Sequence, residues 1–96
     1  MKKGYLVIRI NISNAELFQQ YPPLSTKAVE NFGGKYLIRG GAFEVVEGTW
    51  LAERTTVVEF ESFDKAKELY NSSEYSEAKK VRQKSTDTDF ILIEGY

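Results

Sequence analysis

From Gly4 to Ile12 the chain alternates β-branched and aromatic side chains in a period of two, which predicts a strand. Leu6, Ile8, Ile10 and Ile12 share one face, and Tyr5, Val7, Arg9 and Asn11 the other. The period then lengthens. Leu17, Tyr21, Leu24, Ala28 and Phe32 recur at helical spacing, and Ser13 with Glu16 reads as a capping box at the start of that helix. Pro22-Pro23 interrupts the stripe and predicts a kink or two short helices, the second starting near Pro23. Gly33-Gly34 follows as a helix stop.

Lys35–Arg39 reads as a second strand, and Gly40-Gly41 as a bulge or turn into Phe43–Glu47, a small extra hairpin that ends before Trp50. Arg54–Glu61 is a third strand, with Val57 on one face and Val58 and Phe60 on the other. Ser62 caps a helix carrying Phe63, Ala66, Leu69 and Tyr70. Asn71-Ser72-Ser73 breaks it, and a further helical segment starts near Glu74 with Tyr75, Ala78 and Val81 inward. Thr88–Glu94 closes as a strand. The order β-α-β-β-α-β predicts an α+β, ferredoxin-like fold with a four-stranded antiparallel sheet, and residues 1–96 make a single domain.

Helices in this arrangement cover one face of the sheet, so the other face of a lone subunit should be polar. Here it is not: Tyr5 and Val7 oppose Leu6 and Ile8, Val57 opposes Val58, and Ile91 and Ile93 oppose Phe90 and Leu92. An uncovered face of that composition exceeds the few hundred Å² of apolar patch that monomers tolerate. The expected cover is a second copy related by a two-fold axis, giving a homodimer through the sheet face. Terminal residues or the 43–53 hairpin are the other available cover.

Composition narrows the chemistry. Lys and Arg number 13 against 14 Asp and Glu, a net charge of -1, so no global field draws in nucleic acid or an anionic membrane. There is no cysteine and no histidine. Disulfides, cysteine nucleophiles, Ser-His-Asp triads and His- or Cys-held metals are therefore excluded. No metal site and no cofactor are expected. With no signal pattern and no apolar run of membrane-spanning length, the expected location is the cytoplasm.

Gly4-Tyr5, Gly33 to Gly41 (Gly-Gly-Lys-Tyr-Leu-Ile-Arg-Gly-Gly), Glu47-Gly48-Thr49-Trp50, Arg54 to Phe60, Ser73-Glu74-Tyr75 and Arg82 occur in that order. Together they resemble a small bacterial family known as a domain of unknown function, DUF1330, over nearly the whole chain. That family is similar to the dimeric α/β-barrel superfamily, in which two ferredoxin-like subunits pack sheet to sheet. The superfamily includes cofactor-independent monooxygenases, lactone isomerases, haem-dependent peroxidases and stress-response proteins, so the resemblance implies the dimer but does not select an activity. The absence of histidine makes the usual haem-ligated members a poor guide.

The resemblance attaches its motifs to Arg39, Glu47, Arg54, Glu59, Tyr75 and Arg82, charged or polar positions within apolar elements. Simple alternation places Arg39 with Leu37, Glu47 with Phe43 and Val45, and Glu59 with Val57. Tyr75, Ala78 and Arg82 at i, i+3 and i+7 bring Arg82 onto an inward stripe. These residues suggest a cleft between sheet and helices, walled by Tyr5 and Trp50. Its ligand would be a small molecule, an organic acid or carbonyl compound. Arg39, Arg54 and Arg82 would hold an oxyanion, and Glu59 and Glu47 would move a proton. A bland reading weighs about as much: Arg39 or Arg54 pairs with Glu47 or Glu59 as a structural ion pair in a non-catalytic homodimer, while Tyr75 and Trp50 merely pack. RNA binding fits poorly. Arg39 to Val46 resembles the octapeptide of an RNA-recognition motif, but Gly41 and Val46 stand where base-stacking aromatics belong.

Overall fold

The computed structural model describes residues 1–96. Strand β1, Gly4–Ile12, occupies the centre of the sheet because its Leu6, Ile8 and Ile10 face is buried. After it come α1 (Ala15–Phe18), α2 (Tyr21–Asn31), β2 (Lys35–Arg39), β3 (Arg54–Phe60), α3 (Phe63–Asn71), α4 (Ser73–Ser85) and β4 (Thr86–Glu94). The strands lie in the order β2-β3-β1-β4, all neighbours antiparallel, with β1 flanked by β3 and β4. This is the predicted α+β, ferredoxin-like topology.

Asn14, and not Ser13, caps the first helix: its Oδ1 accepts from the Leu17 amide at 3.0 Å. Ser13 is still tied to the sheet end, since the Ser13 and Asn14 amides both donate to the Ser85 carbonyl, at 2.8 and 3.1 Å. The proline pair falls in the first turn of α2, where a missing N–H costs nothing, so that helix begins at Tyr21 and the break lies just before it. Ser62 and Ser72 cap α3 and α4 by accepting from the Lys65 and Tyr75 amides. Strand β4 starts at Thr86, two residues ahead of the sequence expectation.

The extra hairpin does not form. Residues 40–53 carry no regular structure, and all but Ala52 are exposed. This loop is held at its ends, by Gly40 donating to the Thr55 carbonyl at 2.8 Å and by reciprocal bonds between Glu53 and the end of β1.

One cluster forms the core, on the helix side of the sheet: Leu6, Ile8, Ile10, Val58 and Phe60 from the strands meet Val29, Ala66, Leu69, Tyr75 and Ala78 from the helices. Gly4 makes close packing possible there, because a β-carbon would collide with the Ser62 carbonyl oxygen and the Phe63 backbone. The molecule is 17 Å thin along its shortest axis, one sheet and one helix layer. The other sheet face is open. Ile38, Ile91 and Ile93 are each about half exposed on it.

Candidate functional site

A bulge in β2 decides which side chains enter the space between sheet and helices. Tyr36 stands opposite Val58 and Ile38 opposite Val57, so Leu37 is an extra residue in the strand. Past the bulge, Arg39 pairs with Thr56 on the helix side. Arg39 is thus parted from Leu37 by the inserted residue, contrary to simple alternation, and joins the face that carries Tyr36. Its guanidinium lies 4.1 Å from the Tyr36 ring centroid and donates to the Thr26 hydroxyl at 2.6 Å. Arg54 opens β3 opposite buried Ile10, and its guanidinium lies 5.6 Å from the Phe18 ring.

These two arginines and Gly40 form the mouth of a cleft whose walls are Ile8, Ile10, Phe18, Val29 and Val58. Tyr21, Ser25, Tyr36, Thr56 and Tyr75 supply its polar atoms. The interior measures about 40 Å³, room for a few water-sized groups, and opens to solvent at the arginines.

The floor is a phenol pair. The Tyr21 and Tyr75 hydroxyls are 2.5 Å apart, and Arg82 Nη1 donates to the Tyr75 oxygen at 2.7 Å. All three side chains are buried, Arg82 at 3% exposure. Burial pushes the Tyr21 phenol above its ordinary range, and burial next to the Tyr21 oxygen pushes Tyr75 well above it. Burial also works against the Arg82 charge, but the two phenol oxygens outweigh it and leave the guanidinium more firmly protonated than usual. Arg82 packs against Phe90, 4.7 Å from the ring centroid, and its Nε has no partner.

The structure therefore brings Arg39, Arg54 and Tyr75 to one cleft with Arg82 directly behind Tyr75. It does not bring Glu59, Glu47, Tyr5 or Trp50 there. Glu59 lies on the open face, where its carboxylate accepts from the Tyr5 hydroxyl at 3.0 Å. That bond and the nearby charge raise the Tyr5 phenol, the hydrogen bond contributing most. Glu47 sits in the exposed 40–53 loop, and Trp50 in the same loop stacks with Arg9, 4.7 Å from the guanidinium. The expected ion pairs of Arg39 or Arg54 with Glu47 or Glu59 are absent for the same reason. The single salt bridge of the chain joins Arg9 to Asp89 at 2.7 Å. No three Asp or Glu side chains gather closely enough to hold a metal ion. Tyr21 is legible in the sequence only as part of the helical stripe, although a tyrosine on an inward stripe signals a hydroxyl in search of a partner.

A four-stranded antiparallel sheet in the order β2-β3-β1-β4 with helices on one side defines the ferredoxin-like α+β class. Within that class the chain belongs to the family described as a domain of unknown function, DUF1330, whose model matches residues 3–96. The fold is similar to the crystal structure of the RPA0582 protein of unknown function from Rhodopseudomonas palustris, at 21% identity and a TM-score of 0.80, covering 99% of this chain and 83% of that one. A methylated form of the same protein gives 0.79, also at 21% identity, covering 99% and 82%. SnoaB, a cofactor-independent oxygenase from Streptomyces nogalater, is similar at 8% identity with a TM-score of 0.56, covering 100% of this chain and 95% of that one. At these identities the likeness is one of fold. No curated protein matches the chain. No helix is long and apolar enough to cross a membrane.

Proposed function

We propose that this protein binds a small organic acid or carbonyl compound in the cleft between sheet and helices, as a receptor or as a cofactor-independent enzyme. The observation that carries the reading is the cleft mouth: two guanidinium groups, Arg39 and Arg54, edge an apolar cavity and neither pairs with a carboxylate. Arg39 is already oriented by Thr26 and the Tyr36 ring, so little freedom is lost when it clamps an anionic oxygen. Such a site suits a carboxylate or an enolate, whose charge the arginines would neutralise. Proton transfer is not assigned to Glu59 or Glu47, which lie outside this cleft.

In this reading the working form is a homodimer. Support comes from the open sheet face, where Ile38, Ile91 and Ile93 are half exposed beside Val7 and Val57. The same face favours the second reading, a structural or regulatory dimer without catalysis. A melting screen with small carboxylates, quinones and lactones separates the two, because a ligand of the native state raises the midpoint. A rise with one compound class supports the cleft. No rise across the screen leaves the second reading.

A further inference from the structure

At the closed end of the cleft, donors outnumber acceptors. A guanidinium only donates, and Arg82 gives one of its protons to the Tyr75 oxygen. The two phenols hold one proton each, and the single contact between their oxygens uses one of them, whichever hydroxyl donates. The other hydroxyl has no acceptor among the protein groups. Both tyrosines line the cleft, so the surplus proton is available to whatever fills it. Arg82 is buried and has no carboxylate beside it, so its charge too is uncompensated.

We infer that the Tyr21–Tyr75 hydroxyl pair, backed by Arg82 through its bond to Tyr75, is an oxyanion-binding site on the cleft floor, taking one carboxylate or enolate oxygen of a small ligand. This rests on the cleft reading above and adds the atoms that receive the ligand. A water can accept the free proton, but it brings no charge to balance the guanidinium. An anionic oxygen does both, so the site discriminates in favour of anions over their neutral isosteres. Burial keeps both phenols protonated, which makes them donors and not bases. The interior of about 40 Å³ restricts the inserted part of the ligand to a few heavy atoms.

The test uses acetate and its neutral isostere acetamide on protein labelled with ¹³C at the tyrosine ζ carbon, which reports hydrogen bonding at the phenol. Tyr21→Phe and Tyr75→Phe assign the two signals. Acetate is expected to shift the Tyr21 or Tyr75 resonance in a saturable way and acetamide to bind more weakly. The Tyr21→Phe/Tyr75→Phe double variant should bind acetate about tenfold or more weakly, the scale of a lost hydrogen bond to a charged group. If acetate binding depends on Arg54 but moves neither resonance, the floor site is overturned while the mouth stands. The wild-type signals decide this even if the double variant fails to fold. If acetate does not bind the folded wild type at all, the mouth and the floor both fall.

Discussion

Arg82 donates from Nη1 to the Tyr75 hydroxyl at 2.7 Å, and no carboxylate pairs with the buried guanidinium. The two ends of this bond are not equivalent. Replacing the arginine removes a desolvated charge, while replacing the tyrosine strands one.

Arg82→Met should therefore change stability by less than about 1 kcal/mol, since an apolar chain of similar length fills the site and Tyr75 keeps Tyr21 as partner. Tyr75→Phe should cost about 2–3 kcal/mol because the buried guanidinium loses its close acceptor. Urea unfolding of both variants checks this order, and equal losses would contradict it.

Alkaline pH should unfold the protein through its tyrosines. Tyr21 and Tyr75 have phenols raised in the native state above their ordinary value near 10. Above that pH the unfolded chain loses these protons while the native one keeps them, so stability present at neutral pH declines as pH rises. The slope approaches about 1.4 kcal/mol per pH unit for each such phenol. Tyr5, held up by Glu59, acts in the same direction. Spectrophotometric titration should show tyrosines that ionise only as the protein unfolds, and Tyr21→Phe should shrink that fraction.

Gly4→Ala should destabilise by about 1–3 kcal/mol, the usual cost of overpacking, because its β-carbon would meet backbone and not a movable side chain. Gly41, where an added β-carbon meets nothing within 4 Å, is the control. Thermal melts of the two alanine variants should differ clearly, the first falling by several degrees.

Sedimentation should return a particle of twice the 11.0 kDa chain mass, held by the open sheet face. Ile91→Glu, placing a charge beside Val7 on that face, should halve it. A wild-type particle of single mass, unchanged by that substitution, would contradict the sheet-to-sheet dimer.

Strand periods and the Ser62 cap carry the topology: β1 spans Gly4–Ile12 as its alternation predicts, and Ser62 starts its helix, whereas Asn14 and Ser72, which the sequence pattern does not single out as caps, cap theirs. The cleft was less legible. A bulge leaves no mark on a run such as Tyr36-Leu37-Ile38-Arg39, yet it decides that Arg39 shares the helix side with Tyr36. Glu59 shares a face with Val57, as alternation predicts, but that face is the open one, so the carboxylate is remote from Arg39 and Arg54. The hairpin expected after Gly41 had β-branched residues and no neighbouring strand to pair with. Tyr21 was visible only as a core residue, since its role depends on a hydroxyl 54 positions away.

The most direct test of the account is titration calorimetry of acetate against the wild type and the Arg39→Met/Arg54→Met double variant. Both residues are exposed and neither belongs to the buried core, so the fold should survive. Saturable heat from the wild type, lost in the folded double variant, is the predicted result. Binding that persists undiminished without both arginines, or none in the wild type, would contradict an anion-receiving cleft.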